Sequence, residues 1–346
     1  MTMKGVGKKA LSTGMVAAVT TMLALALTPT GAAAGACAKT FKKCGCTISA
    51  PGSYTLVNLS TFPLKSTGTC IDITASNVTL NINGPNLGFS GPGTGTPTVG
   101  IDIEPSANNV SVAGLTPNGF GVGVRIDGSN ALLYYVNASG NQRGIVVNGK
   151  NALILASSSY NNEAVGIQIN KTATNFVMVA STVYLQGGVG IELNQVSGAA
   201  VVSVVTELNG TVGIWLNGAS NNVITGFESD NNGIAGVYLG CNAAGPNGQA
   251  SCPSDTPSNG NAVLGVQFNN SYSTADNSIG PSFTQQSYGI AVGLGNLHND
   301  FLTIEGDGNT VDDALDENPN CGSNRWLGNI FTTSDPAQNT TDYCIN

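Results

Sequence analysis

Five residues in the first half of the chain have the types and spacing for chemistry: Asp72, Asp102, Glu104, Arg125 and Asp127. On an extended strand, residues two apart share a face and lie about 6.8 Å from each other. Asp102/Glu104 and Arg125/Asp127 are such pairs. Carboxylates gathered in this way could hold Ca²⁺, which takes about six to eight oxygens, and Asp102, Glu104 and Asp127 are the metal-ligand candidates. The same carboxyls could instead act as acid and base in glycoside cleavage. If Ca²⁺ acidified a uronate α-proton, Arg125 would be the only basic group of the patch available for β-elimination. The simpler alternative is a solvated charge ladder, Asp102–Arg125–Asp127, whose exposed pairs contribute little.

A second group is Gln168, Glu192, Trp215 and Tyr238, spaced by 24, 23 and 23 residues. Flat aromatic rings beside polar groups suit sugar rings. Alternatively, the chain after Tyr238 folds back and buries both rings, with their polar atoms hydrogen-bonded. A third group is the acidic run Asp307, Asp312, Asp313, Asp316 and Glu317. Val311 and Asp312 stand where a calcium EF loop needs an oxygen ligand and a glycine, so the run reads as a polar end cap. Gly187-Gly188-Val189-Gly190 is one partial hit to a calcium nonapeptide repeat, and the repeat length below argues against that class. There is no Gly-x-Ser-x-Gly elbow, no phosphate loop and no His-Glu-x-x-His helix. His298, the single histidine, reads as a corner residue.

Something must set these residues side by side, and the chain carries a repeat that does so. The word Gly-apolar-x-apolar starts at Gly100, Gly123, Gly144, Gly166, Gly190, Gly213 and Gly236, at intervals of 23, 21, 22, 24, 23 and 23. A variant opens at Cys70 and a late copy at Gly289. A fixed period of this size indicates a solenoid. The two apolar positions are two apart, as a strand requires, and stacking the copies gives an all-aliphatic column from Ile71/Ile73 to Ile290/Val292. The residues between them form an outward column: Asp72, Asp102, Arg125, Val146, Gln168, Glu192, Trp215, Tyr238 and Ala291. A second outward column begins Thr74, Glu104, Asp127, Asn148, and Asn148, Asn170, Asn194 and Asn217 occupy one place in four successive coils. Stacked amides of this kind can hydrogen-bond up and down a ladder. A second apolar word, usually opened by Asn, and a polar Asn/Gly corner complete each coil.

The run from Cys70 to Gly84, the Gly-Ile repeats and Glu317-Asn-Pro-Asn-Cys-Gly-Ser-Asn324 together resemble the secreted bacterial right-handed parallel β-helix repeat proteins of the pectate-lyase-like fold group. The resemblance covers about residues 45 to 345. It implies an all-β solenoid of roughly a dozen coils of about 23 residues, and its right-handedness agrees with the general crossover rule. It does not fix activity, because the group holds lyases, hydrolases, epimerases and adhesins. Relatives often carry His after the Asn-Gly that closes the first repeat; Pro85 stands there in this chain, so no role is carried over. The expected layout is a signal peptide over 1–36, an N-terminal cap over 37–69, the β-helix over 70–317 with insertions at 91–97 and 241–260, and a C-terminal cap over 318–346.

The opening residues carry Lys4, Lys8 and Lys9, an apolar run from about Met15 to Leu27 and a small-residue cleavage site at Ala32-Ala33-Ala34 or Ala34-Gly35-Ala36, the pattern of a Sec signal peptide. Ala34, three before Cys37, argues against a lipoprotein anchor at that cysteine. No stretch reaches about 18 apolar residues, so no transmembrane helix is expected. All eight cysteines follow the signal, which points to disulfides in an oxidising compartment. Proximity suggests Cys241–Cys252 and Cys321–Cys344, with Cys37, Cys44, Cys46 and Cys70 tying the N-terminal cap. Without the three signal lysines the charge is 9 basic against 20 acidic residues, −11. Nucleic acid and anionic membranes are therefore poor partners. The expected protein is exported to the cell surface, matrix or periplasm and binds polysaccharide or partners along its stacked face. The alternative is a polysaccharide lyase, hydrolase or epimerase built on the patch around Asp102. Ca²⁺ is the one cofactor this chemistry would use.

Overall fold

The computed structural model describes residues 35–57, 67–82, 87–241, 256–269, 286–335 and 344–345. Residues 1–34 of the proposed signal segment and most of the 241–260 insertion, including Cys252, lie outside the described residues, whereas Gly35–Ala36 pairs with Cys46 and Thr47 in the first sheet. The described chain is a parallel β-helix with three faces. Its sheets have 13, 12 and 10 strands, and every pairing between strands is parallel. Each coil places one strand in the first sheet, one in the second and one in the third. About ten coils carry all three, slightly fewer than the expected dozen.

The repeat word forms the first-sheet strands. Ile101, Val124, Ile145, Ile167 and Ile191 stack in register, as do Ile103, Ile126, Val147, Ile169 and Leu193. All are at most 1% exposed. This column and the central residues of the other two sheets, such as Leu133, Ile154, Met178 and Val201 in the second, make one continuous core. A period of two inside each strand and a nearly constant coil length leave one register in which the aliphatic set points inward.

The glycine that opens each word is there for space. A Cβ on Gly144 would sit 2.4 Å from the Gly166 carbonyl oxygen, one on Gly166 2.7 Å from that of Gly190, and one on Gly190 2.6 Å from that of Gly213. Each glycine thus lets the next coil approach. The series ends at Cys70 and Asp313, which hold the equivalent positions in the outermost copies.

Buried amides line the corners. Asn141 donates to Asn162 at 3.2 Å, Asn162 to Gln186 at 2.9 Å, Asn209 to Asn232 at 2.8 Å and Asn232 to Gln286 at 3.2 Å. Another ladder runs Asn222, Asn261, Asn299, Asn324 and ends on the Asp316 carboxylate. A separate, exposed row of corner asparagines, including Asn109, Asn130, Asn151 and Asn175, adopts φ near +55°, the left-handed region in which Asn is tolerated best after Gly.

The stacking continues into both end segments. Cys46–Ile48 pairs with Gly68–Ile73 in the first sheet, and Gly52–Leu56 pairs with Val78–Ile82 in the second. Arg325–Leu327, Ile330–Phe331 and Ser334–Asp335 add a strand to each sheet at the far end. Disulfides join Cys37 to Cys46, Cys44 to Cys70 and Cys321 to Cys344. Cys241 is also disulfide-bonded. No helix among the described residues is long and apolar enough to cross a membrane.

Candidate functional site

The outer face of the first sheet reproduces the outward column of the sequence. Asp72 lies opposite Asp102, Asp102 opposite Arg125, Arg125 opposite Val146, and the series runs on through Gln168, Glu192, Trp215 and Tyr238 to Ala291. Thr47 extends it beyond Asp72.

The five charged residues divide into two subsets. Asp102 is 1% exposed and grips Arg125: Nε donates to Oδ1 at 2.9 Å, and Nη2 donates to Oδ2. Arg125 Nε also lies 3.3 Å from Asp127 Oδ2, and Asp127 Oδ1 accepts from Asn148 at 2.6 Å. Asp127 is thereby drawn away from the other carboxylates. The group that does converge is Asp72, Asp102 and Glu104, each with a carboxylate oxygen within 4.8 Å of the others. Asp72 Oδ2 accepts from Thr47 at 3.2 Å, whereas Asp72 Oδ1 is buried with no hydrogen-bond partner. Burial pushes the Asp72 carboxyl above its ordinary value, and the Asp102 charge adds to this against the Thr47 bond. Burial likewise raises Glu104, followed by the charges of Asp102 and Asp72. The Arg125 guanidinium holds its proton more tightly than usual, chiefly through its bonds to Asp102. Arg125 is therefore a clamp on Asp102, not a free base.

Beyond the charges, the second outward column is an amide ladder. Asn148 accepts from Asn170 at 2.8 Å, Asn170 from Asn194 at 3.4 Å and Asn194 from Asn217 at 3.5 Å. Asn148, Asn170 and Asn194 each have a second N–H and a further acceptor lone pair, whereas Asn217 donates its other N–H to Glu192, so the first three rungs of the row offer donors and acceptors coil by coil.

Gln168, Glu192, Trp215 and Tyr238 are neighbours in one column, as expected, but three of the four are covered. Glu192 is 7% exposed and accepts from Gln168 at 2.9 Å and Asn217 at 3.2 Å. Trp215 and Tyr238 are 8% and 2% exposed and belong to an outer apolar cluster with Val212, Ala235, Tyr288 and Leu315. The Trp215 indole donates to the Gly240 carbonyl at 2.8 Å, and burial pushes the Tyr238 phenol up to about 12. The rings are packed rather than open, so an exposed sugar-stacking platform at Trp215 and Tyr238 is not what the folded chain presents. The packing partners stand in the neighbouring outward column of the same sheet, where Val212, Ala235 and Tyr288 stack in register.

The acidic run is built into the last coils. Asp313, 1% exposed, accepts from Asn309 Nδ2 at 2.6 Å and from the Thr332 and Thr333 amides at 2.9 Å. Burial pushes Asp316 up, while bonds from Asn318, Asn324 and Trp326 oppose it. Asp307 accepts from Thr332, and the backbone N–H of Leu294 donates to Glu317 at 3.3 Å. His298 is a corner residue with φ +59°. Asp312 rises from 3.8 to about 6, through burial first and then the charges of Asp335 and Asp313. A carboxyl with a raised folded-state pKa makes the folded chain bind more protons than the unfolded one. Its contribution to stability is therefore lost as pH rises from about 4 to about 6. Asp312→Asn is expected to flatten that slope and to stabilise the protein above it by about 1 kcal/mol, after allowance for solvent screening. Thermal melts of both proteins across this range check the prediction, and parallel pH profiles would refute it.

Features outside the expected set also emerge. Thr47 completes the Asp72 environment. On the third sheet, Tyr160 and Tyr184 stack with centroids 5.2 Å apart and planes 12° apart, in one column with Glu207 and Asp230. Their 24-residue separation, one coil, is the sequence signal that could have marked them.

The chain has the right-handed parallel β-helix of the pectate-lyase-like fold group. Among solved structures it is similar to the Dettilon tailspike protein, with 15% identity, a TM-score of 0.54, and coverage of 81% of this chain and 60% of that one. A second likeness is tailspike protein 2 of Escherichia coli O157:H7 bacteriophage CAB120, with 14% identity, a TM-score of 0.57, and coverage of 82% and 40%. A third is the A-module of the Azotobacter vinelandii mannuronan C-5 epimerase AlgE6, with 15% identity, a TM-score of 0.50, and coverage of 83% and 90%. The chain thus spans less than two thirds of either tailspike. At these identities the likeness is one of fold. No protein-family model and no curated protein sequence matches the chain.

Proposed function

We propose that this is an exported β-helix protein that binds polysaccharide along the outer face of its first sheet, with Ca²⁺ bridging an acidic glycan to Asp72, Asp102 and Glu104. The observation that carries this reading is the convergence of three carboxylates within 4.8 Å, one of which keeps a buried oxygen without a hydrogen-bond partner. A hard cation relieves both the mutual repulsion and the orphaned oxygen. Arg125 already occupies both oxygens of Asp102, so Asp72 and Glu104 carry most of the ligation and Asp102 supplies charge. The amide ladder from Asn148 to Asn217 continues the face with donors and acceptors for sugar hydroxyls. The disulfides are compatible with an oxidising, extracytoplasmic location. The fold is one that a mannuronan C-5 epimerase also uses, which supports a glycan reading at the level of the scaffold only.

A catalytic reading has one observation in its favour: Asp72 and Glu104 both hold protons more tightly than ordinary carboxyls, beside the buried Asp102. They would be the acid and base of a hydrolase or epimerase. Lyase chemistry with Arg125 as base is disfavoured by its double engagement with Asp102 and Asp127.

Calorimetry with CaCl₂ tests the cation. Saturable binding is expected and should disappear in Asp72→Asn/Glu104→Gln. Because protons compete for the same two carboxyls, affinity should fall as pH is lowered, beginning above the ordinary carboxylate range. Absence of heat in the parent protein, or binding unchanged in the double variant, would remove Ca²⁺ from the account.

A further inference from the structure

The third sheet presents a face of different chemistry. None of its ten strands carries a Lys or Arg. Its later strands, Val205–Glu207, Glu228–Asp230, Gln267–Asn269 and Glu305–Asp307, turn their central residues inward, where Thr206, Ser229 and Phe268 are fully buried. Alternation then directs the flanking residues outward. Glu207, Glu228, Asp230, Glu305 and Asp307 are all on this face, and Glu228 and Glu305 flank Gln267 in one column. Along the edge of this column runs a groove of about 500 Å³, lined by Ser203, Val205, Glu228, Gln267, Thr303 and Glu305. It forms at the turn from the second sheet to the third, where Gly226 and Gly265 leave the corner without side chains. Burial and the Glu228 charge raise the Glu207 carboxyl.

We propose that this face and its groove bind a linear amino-sugar polysaccharide with free amines, the chain of the glycan lying along the solenoid axis. Charge complementarity selects a cation: the face carries carboxylates without a basic residue on the sheet. The geometry selects a polymer. Three of four consecutive coils, about 4.8 Å apart, carry carboxylates, Glu207, then Glu228 and Asp230, then Glu305 and Asp307 beyond Gln267, so a straight partner with repeating ammonium groups meets several of them. The lining suits a pyranose chain, which has both hydroxyls and apolar C–H faces: Ser203, Thr303, Gln267, Glu228 and Glu305 supply polar groups beside Val204, Val205, Phe227 and Val266, and the Tyr160 and Tyr184 phenols extend the same face two coils further. This site is on a different sheet from the Asp72/Glu104 site, and either can fail without the other.

The test is binding of a glucosamine hexamer, its N-acetylated counterpart and an oligolysine of equal charge to the full chain, in mildly acidic, low-salt buffer. The glucosamine hexamer is expected to bind, and Glu228→Gln/Glu305→Gln should weaken it at least about tenfold, the loss of roughly one charge-assisted contact. Asp72→Asn/Glu104→Gln, on the other sheet, should leave it unchanged. Equal binding of the N-acetylated hexamer would overturn the role of charge. Equal binding of oligolysine would overturn the choice of a glycan. Unchanged affinity in the Glu228/Glu305 variant, which alters only surface side chains, would overturn the site.

Discussion

Replacing Gly190 with alanine should destabilise the protein by about 3 kcal/mol, the upper range for forcing a methyl group into a packed interior. The added Cβ would lie 2.6 Å from the Gly213 carbonyl oxygen and 2.8 Å from the Asn209 amide nitrogen, both fixed parts of the neighbouring coil. Neither can move without disturbing the ladder that runs through it. The comparison is Gly95→Ala, where nothing lies within 4 Å of the added atom, and where a change of no more than about 0.5 kcal/mol is expected. Urea unfolding followed by circular dichroism measures both. A Gly190→Ala midpoint as close to the parent as that of Gly95→Ala would mean that coil spacing is set by something other than the glycine column.

Asn162→Leu should have an effect of similar size for a different reason. The Asn162 side chain accepts from the Asn141 backbone N–H at 2.9 Å and donates to the Ala138 carbonyl at 3.1 Å and to Gln186 at 2.9 Å. Asn162 is 1% exposed, so water cannot replace these partners without entering the core. Leucine keeps the same branched outline, and the loss is chiefly one of hydrogen bonding. Each buried polar group left unpaired costs about 1–3 kcal/mol, and a total near 3 kcal/mol is expected. Asn162→Gln, by analogy with Gln186 in the next coil, should recover part of it. Equal stability of Asn162→Leu and the parent would show that the corner ladder is decoration.

Much of this architecture is legible in the repeat itself. Asp72, Asp102, Arg125, Val146 and Gln168 face outward in consecutive rungs because the repeat has a period of two within the strand and one nearly constant length between strands. The aliphatic column admits one phase only. The amide row Asn148–Asn217 follows from the same count.

Three things were not legible, each for a physical reason. Asp127 left the carboxylate cluster because Arg125 and Asn148 compete for it across two columns, and side-chain direction within a face is not set by periodicity. Trp215 and Tyr238 are buried in an apolar cluster on the outer face of the first sheet, formed with Val189, Val212, Ala235, Tyr288 and Leu315 of the same stacked strands; a single column of the repeat does not bring these neighbouring columns together. The acidic third face was hidden because its later strands are three residues long, and many of its strands have small or polar central residues such as Ser159, Thr206 and Ser229. No hydrophobic alternation announces which side is inside. The repeating glycine could be counted from sequence, but its reason, the carbonyl of the next coil, exists only after stacking.

The central claim is that the first-sheet face holds an acidic polysaccharide through Ca²⁺. The most direct measurement is retention of the protein on immobilised uronate polymer with and without Ca²⁺, comparing the parent with Asp72→Asn/Glu104→Gln, while following unsaturated-uronate absorbance and reducing ends in the same samples. The account predicts Ca²⁺-dependent retention that the double variant loses, with both reaction channels silent. Retention that ignores Ca²⁺ and the substitutions would contradict it, and turnover in either channel would replace binding with catalysis.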